Sequence, residues 1–190
     1  MENNSNLRLY HIDATLFHPD NMAIIKDQSS HKELFLFFKM NKGEEESIKK
    51  INMEFIAGKG YTLKNIVKTD YIFTFSALLF SKKFVDCARE TLKDEMKFFP
   101  CKVICKGVSL DWYAAQVVYL FPIVDKKLST YDLSSGDVAS EVIKYRKDIE
   151  EKFYTARDSE IIYEFVVTDL FKKLCEENGL LIDIREPIER

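Results

Sequence analysis

The stretch from Asp70 to Asp132 constrains the fold most strongly, because it contains the longest apolar runs of the chain. Its first run, over 71–80, is rich in aromatic residues, which are enriched in β-strands. Ser81 then precedes a segment, 82–95, in which charged and apolar residues alternate as in an amphipathic helix. The order of strand, hydroxyl and helix predicts that Ser81 caps the helix by accepting a hydrogen bond from a backbone N–H one turn ahead.

The second half of this stretch predicts two further strands. The chain is expected to turn at Pro100 and to continue as a strand over 101–106, whose odd-numbered residues face the core. The apolar segment 112–124 follows, and the aromatic and β-branched residues of its part 112–121 predict a central strand.

Periodicity predicts several elements outside this stretch. Residues 7–12 alternate as a strand does, and the continuous apolar run at 33–40 predicts a strand buried on both faces. Apolar residues at helical spacing, with acids at the beginning, predict a helix over 44–57 that ends before Gly58. The segment 138–153 has helical spacing as well as strand-like residues, and both interpretations stay open.

Two short segments share one pattern. Residues 79–84 and 166–171 each have two apolar residues, a hydroxyl side chain, two further positions and a phenylalanine. Thr168 would cap the second helix, and an Asn-Gly pair at 178–179 would end it before a final strand at 180–184. The pattern indicates two related halves, each built from a strand, a cap and a helix.

These elements together predict an α+β fold with mixed or antiparallel sheets and a few helices. The chain is 46% apolar, and its 190 residues fit a single domain, 1–190, with possible halves at 1–98 and 99–190. The four cysteines, at positions 87, 101, 105 and 175, are expected to be free thiols that pack as small apolar groups.

The N-terminus and the length of the apolar runs predict where the protein is found. No run reaches the roughly 20 residues with which a helix spans a bilayer. The polar N-terminus has neither the basic region nor the apolar region of a signal peptide. A cytoplasmic protein that does not bind a membrane is therefore expected.

Motifs for catalysis, metal binding and cofactor binding are weak in this sequence. The histidines at positions 11, 18 and 31 do not have the spacing of metal ligands, and three residues separate Cys101 from Cys105 where a zinc knuckle has two. The Gly-Lys-Gly at 58–60 lacks the further glycine and the hydroxyl of a phosphate-binding loop. We therefore predict no catalytic residue, no metal and no cofactor, and we do not expect an enzyme.

Charge is distributed unevenly along the chain. Residues 131–190 carry 9 basic and 15 acidic side chains, a net charge near −6, whereas residues 71–130 carry 9 basic and 6 acidic ones. An acidic last third argues against nucleic-acid binding there and favours a basic partner.

A set of short motifs occurs in a particular order. They are the strand, Ser81 and helix over 79–92, Phe99 with Pro100, the strand at 112–121, Asp125 with Ser129, the segment 165–169, and Asn178, Gly179 and Leu180. In this order they resemble a family of bacterial immunity proteins from polymorphic-toxin systems, over about residues 70–184. The resemblance implies a strand at 141–146.

The resemblance also implies a function, which is stoichiometric inhibition of a cognate toxin or effector by direct binding. The acidic last third agrees with it, because complementary charge speeds association with a basic protein. The acids of this segment are candidates for partner binding because charged residues are expected to be exposed, and Tyr154 is a candidate because aromatic residues often anchor interfaces. The candidate partner-binding residues are Glu150, Glu151, Tyr154, Asp158, Glu160, Glu176 and Glu177.

Two other classes of function stay open. One is an enzyme or secreted effector with an unrecognised active site, which requires a pocket with convergent polar groups. The other is a non-catalytic adaptor or scaffold, which requires an exposed recognition patch. The oligomeric state is not predicted.

Overall fold

The computed structural model describes residues 7–13, 22–130 and 142–187, and within them the fold is α+β, as predicted. The strands are β1 (Leu9–Asp13), β2 (Ile24–Ile25), β3 (Glu54–Ile56), β4 (Tyr71–Phe73), β5 (Leu78–Ser81), β6 (Met96–Cys105), β7 (Val108–Val117), β8 (Leu120–Phe121), β9 (Thr155–Asp158), β10 (Phe165–Thr168) and β11 (Asp183–Arg185). The helices are α1 (His31–Met40), α2 (Glu45–Ile48), α3 (Leu63–Ile66), α4 (Lys82–Ala88) and α5 (Asp169–Glu177).

A six-stranded sheet has the order β2-β3-β6-β7-β5-β4. Its centre is a hairpin in which all ten residues of β6 pair with all ten of β7. Lys106 and Gly107 both have positive φ, 49° and 80°, and such values in a two-residue loop match the right-handed twist of the strands. The predicted central strand at 112–121 is confirmed in position, but the structure divides it between β7, which starts at Val108 and ends at Val117, and the short strand β8.

A five-stranded sheet has the order β11-β1-β10-β9-β8. Its pairs are antiparallel except for β8 and β9, which run parallel. The predicted strand at 7–12 is the interior strand β1, whereas the predicted strand at 180–184 is shorter and forms the edge strand β11.

Three apolar clusters make up the core. The first lies between α1 and one face of the six-stranded sheet, and Cys101, Val103 and Cys105 belong to it, as their alternation predicted. The second lies between the two sheets and includes α4 and α5, whose Phe84 and Phe171 rings are 5.8 Å apart. The third covers the opposite face of the five-stranded sheet. The site described below lies at the edge of the second and third clusters.

The segment 33–40 is a helix and not the predicted strand. Leu34, Phe37 and Phe38 are buried at the i, i+3, i+4 spacing of one helical face, while Phe35 is 37% exposed. The helical spacing is hidden in the sequence because the run of apolar residues is continuous. The exposed Phe35 on the outer face of the helix makes the run look like a strand that is buried on both faces. Length alone does not separate the two interpretations in a run of this size.

The helix predicted over 44–57 is also wrong beyond its first turn. The helix α2 ends at Ile48, and Phe55 lies in β3, where it is buried opposite Val103 of β6. Parallel pairing with a strand that is about 50 residues distant overrides the local helical spacing, because the pairing buries Phe55 and satisfies the backbone.

Pro100 lies within β6, and the predicted turn there is wrong. The neighbouring strand β3 pairs only with residues 102–104. Pro100 therefore lies beyond the end of β3, so no residue of β3 needs the backbone N–H that proline lacks.

The segment 142–153 contains neither a helix nor a strand of more than one residue. Its pairing consists of two isolated bridges, from Val142 to Thr130 and from Tyr145 to Val124. The predicted helix over 138–153 and the strand implied at 141–146 are therefore both wrong in the part that is described, and 138–141 lies outside the described residues. Ile149 and Phe153 pack in the third cluster.

The two strand–cap–helix segments are confirmed as strand followed by helix, but their caps differ. Ser81 caps α4, which ends at Ala88 and not at 95. The Thr168 hydroxyl donates a hydrogen bond to the Phe153 carbonyl at 2.6 Å and does not cap α5, which corrects the predicted role. Thr168 differs from Ser81 because its strand, β10, lies beside the backbone of residues 153–155. The Phe153 carbonyl there accepts the hydrogen bond of the Thr168 hydroxyl. As predicted, α5 ends before Asn178, and Gly179 follows at φ 56°.

Replacing Ser81 by alanine is expected to lower the free energy of unfolding by about 1–3 kcal/mol. The Ser81 hydroxyl accepts from the Phe84 N–H at 3.0 Å and donates to the buried Asp70 carboxylate at 2.5 Å, so the substitution removes two bonds. Urea unfolding measures the change. The matched control is Ser47→Ala at an exposed position in α2, where a change within about 0.5 kcal/mol is expected. Equal effects at the two positions would contradict the assigned role of Ser81.

Among the described residues, the helices are all too short or too polar to cross a bilayer.

Candidate partner-binding surface

The structure separates the predicted contact residues into three groups. Glu150 and Glu151 are exposed just before β9, and Tyr154 beside them is half-buried. Glu160 is exposed in the turn after β9, whereas the exposed Glu176 and Glu177 lie at the far end of α5. A helix of nine residues is about 13 Å long. The seven residues therefore do not form one continuous contact surface.

Asp158 is buried, which corrects its place among the surface contacts. One carboxylate oxygen accepts from the backbone N–H groups of Ile123 and Val124 at 3.0 and 2.9 Å. The other oxygen accepts from Glu160 and Ile161 at 2.9 and 2.8 Å. Asp158 joins the chain after β8 to the turn that follows β9, and its role is structural.

Arg157, the preceding residue, is also fully buried, and its partners are backbone carbonyls. Its guanidinium donates to Phe38 at 3.1 Å, to Lys39 at 2.8 Å and to Ile162 at 2.7 Å, and more weakly to Val117 at 3.4 Å. The first two carbonyls end α1, where the helix dipole favours a cation. Burial lowers the pKa of Arg157 to about 10.

An acidic patch, which we define as Asp94, Glu95, Tyr119, Glu151 and Tyr154, forms between β6, β8 and β9. The Tyr119 hydroxyl donates to the Glu151 carboxylate at 2.7 Å. Burial, the bond to Glu151 and the charges of Glu151 and Glu95 raise the pKa of Tyr119 to about 12. Glu151 and Asp94 are exposed, so the patch presents charge to solvent beside two half-buried tyrosines.

Glu95 anchors this patch from within. Its carboxylate accepts from the Thr155 N–H at 2.8 Å and from the Tyr154 N–H at 3.0 and 3.1 Å. Burial raises the pKa of Glu95 more than these bonds lower it, and the neighbouring Asp94 charge acts in the same direction as burial. Sequence reasoning missed Glu95 and Tyr119, because residues 30 to 60 positions away in the chain complete their surroundings.

Two of the remaining predicted acids, Glu160 and Glu177, have cationic neighbours. Glu160 pairs with Lys126, and Glu177 pairs with Lys173 at 3.7 Å. All four side chains are at least half exposed, so these pairs contribute little to stability and leave the surface accessible. Their charge is partly neutralised, which makes Glu160 and Glu177 weaker attractors of a basic protein than Glu151.

A basic cleft of about 690 Å³ is formed by residues of the segments 122–128 and 144–148, outside the acidic patch. Its charged lining residues are Asp125, Lys126, Lys127, Lys144, Arg146, Lys147 and Asp148. Arg146 pairs with Asp148 through two bonds of 2.9 and 3.2 Å. The net acidity of the last third is therefore not spread evenly over its surface.

Among the described residues, one pocket combines residue types that catalysis often uses, and their arrangement has a structural explanation. A cavity of about 410 Å³ is lined by Asp70, Ser81 and Lys83, with Lys83 Nζ 4.0 Å from the Asp70 carboxylate. The Ser81 oxygen is used by the α4 cap, and the second Asp70 oxygen accepts from the Leu181 N–H at 2.7 Å. These groups join β5 to the chain after α5, which is an architectural role.

Histidines and cysteines also have structural partners where they are described. His11 Nε2 lies 2.7 Å from the Tyr145 hydroxyl, and His31 Nδ1 lies 2.7 Å from the Ser76 hydroxyl, while residue 18 lies outside the described part. Burial raises the pKa of the Cys101 thiol, and it raises that of Cys175 to about 12. Within the described residues, no three potential ligands come together as a metal site.

Comparison with known proteins found neither a family model nor a curated protein that matches this chain. The motifs behind the immunity-protein resemblance have structural roles where they are described. Besides the Ser81 cap, Asp125 accepts from the Lys127 N–H at 2.9 Å, and the Ser129 hydroxyl bonds both backbone groups of Lys144. These motifs therefore bear on the fold and do not by themselves define a contact surface.

Proposed function

We propose that this protein binds a cognate bacterial toxin and neutralises it by stoichiometric inhibition in the cytoplasm. The observation that carries the proposal is the acidic patch, in which exposed carboxylates surround two tyrosines. Tyrosine is enriched among residues that dominate binding energy at protein interfaces. The resemblance to immunity proteins supplies the class of partner.

The chemistry of the patch fits a basic protein surface. Glu151 and Asp94 are exposed, and the Tyr119 and Tyr154 side chains of the same patch are half-buried. An apolar and aromatic centre with charges around it is the usual composition of a protein interface. Complementary charge increases the association rate and orients the encounter, and salt weakens this effect.

The use of the buried polar groups favours binding over catalysis. Arg157, Asp158 and Asp70 are buried, and their partners include backbone groups of distant segments. A catalytic acid, base or nucleophile instead needs to face the place where a substrate binds. The candidate recognition groups are on the surface.

Charge reversal at two pairs of glutamates tests this proposal. The double variant Glu150→Lys and Glu151→Lys is expected to slow association with the toxin encoded by the neighbouring gene by about 10-fold or more at low salt. The control Glu176→Lys and Glu177→Lys changes net charge equally at the far end of α5. A change below about 3-fold is expected, because neither residue belongs to the patch and salt screens exposed charges that lie outside the contact.

Surface plasmon resonance at two salt concentrations measures these rates. A smaller salt dependence in the Glu150 and Glu151 variant would support direct contact of the patch with the toxin. Equal losses in both variants would indicate only a net-charge effect and would contradict the assignment of the patch.

A further inference from the structure

Lys39 lies near the end of α1 and is held between two phenyl rings. Its Nζ atom is 5.7 Å from the centroid of the Phe73 ring and 5.9 Å from that of Phe165. Phe73 ends β4 and Phe165 begins β10, so the amine lies where the two sheets meet. Lys39 as a whole is half-buried, and its amine lies against the two rings.

Arg157, a charge of the same sign, acts on the Lys39 amine. Arg157 of β9 lies 5.8 Å from the Phe165 ring and donates to the Lys39 backbone carbonyl. Among the described residues, the Lys39 amine has neither an ion pair nor a hydrogen bond. Glu164, just before β10, accepts from the Tyr145 hydroxyl at 2.6 Å, and β4 carries no charged side chain.

The balance of effects favours the neutral amine. Loss of hydration and the Arg157 charge both oppose the ammonium form. The two phenyl rings favour the ammonium form, but only weakly, because both distances approach the limit of about 6 Å for a cation–π contact. Burial, followed by the Arg157 charge, lowers the pKa of Lys39 to about 7.

We propose that Lys39 is a nucleophilic amine that forms an imine with aldehydes carrying an aromatic or aliphatic body. A desolvated lysine beside another cation is a known arrangement for such chemistry. The Nζ lone pair attacks the carbonyl carbon to give a carbinolamine. Water then leaves with the carbonyl oxygen and two amine hydrogens, and a C=N bond forms with no change in net oxidation state.

The aromatic surroundings determine which aldehydes fit. Phe73 and Phe165 flank the amine, and Phe75 lies 5.5 Å from Phe73 with 59% of its surface exposed. An exposed phenyl ring such as that of Phe75 can make edge-to-face or offset-stacked contact with an aryl group. An aromatic aldehyde therefore gains contact area at this site that acetaldehyde does not gain.

Reductive labelling with salicylaldehyde and sodium cyanoborohydride tests the proposal. The hydride reduces the imine to a stable secondary amine, and peptide mass spectrometry quantifies each lysine. At pH 7 we expect Lys39 to react on the order of 10- to 100-fold faster than the exposed Lys64 and Lys93, after allowing for the lower nucleophilicity of a weaker base. At pH 10 the advantage is expected to fall below about 3-fold, because ordinary lysines then also carry a large neutral fraction.

Two variants separate reactivity from recognition. Lys39→Arg is expected to remove the fast site and leave the labelling of Lys64 and Lys93 unchanged. Phe75→Ser is expected to lower the preference for salicylaldehyde over acetaldehyde while the acetaldehyde rate at Lys39 stays the same. The proposal would be overturned if Lys39 reacted at pH 7 no faster than the two reference lysines. This holds whether the amine is charged or the aldehyde cannot reach it. The result does not depend on toxin binding.

Discussion

Replacing Arg157 by methionine is expected to lower the free energy of unfolding by about 3–5 kcal/mol. The side chain is fully buried and donates to carbonyls of Phe38, Lys39 and Ile162, which belong to two separate parts of the chain. Methionine fills a similar volume but leaves these buried carbonyls without a donor, and each unsatisfied group costs about 1–3 kcal/mol. Chemical denaturation monitored by fluorescence and circular dichroism measures the change, provided that both signals report one transition.

The matched control for this substitution is Arg185→Met. Arg185 lies on the edge strand β11 with about half of its side chain exposed, and it pairs with Asp183 and, at 3.3 Å, with Asp13. Such exposed pairs contribute about 0–1 kcal/mol. Similar losses at the two positions would show that Arg157 does not hold α1 against β9.

The second large effect is expected for Asp158→Asn, which changes one atom of a buried side chain. The carboxylate accepts two backbone N–H groups on each oxygen. An amide keeps one oxygen, but its NH₂ group then faces two N–H donors. We expect a loss of about 3–4 kcal/mol, because two charge-assisted bonds are removed and two donors are left unsatisfied.

Asp125→Asn is the control, since the same substitution there preserves the contacts. A single oxygen of Asp125 accepts from Lys127 and Leu128 at 2.9 and 3.3 Å, and asparagine supplies an equivalent oxygen. The expected change is within about 1 kcal/mol. If both substitutions had the same small effect, Asp158 would not be holding the chain after β8 in place.

The sequence predicted those parts of the fold in which local chemistry and tertiary structure agree. The Ser81 cap depends on a hydroxyl and an N–H three residues apart, so it was visible locally. The alternation in β6 was visible because each second residue is buried in the first apolar cluster. The α+β class follows from these elements.

The errors occurred where distant contacts decide the structure. Phe55 lies in a strand because β6 is available for pairing, and the local pattern is helical. Thr168 has the residue type of a cap, but the Phe153 carbonyl takes its hydroxyl. Asp158 resembles a surface carboxylate in sequence, and only its four backbone donors explain why it is buried.

The candidate site was predictable only in part for the same reason. Glu150, Glu151 and Tyr154 are neighbours in sequence, and acidic composition was enough to select them. Glu95 and Tyr119 complete the acidic patch through contacts across β6, β8 and β9. Net charge counted along the chain also concealed the basic cleft, because cations and acids of the same segment lie on different surfaces.

Co-expression with the product of the neighbouring gene tests the central claim most directly, because inhibition by binding requires a complex. We predict that the two proteins co-purify at a 1:1 ratio, that added salt weakens the complex, and that cells producing both survive where cells producing the neighbour alone do not. Failure to form a complex at concentrations of tens of micromolar, together with no protection of the cells, would contradict the account.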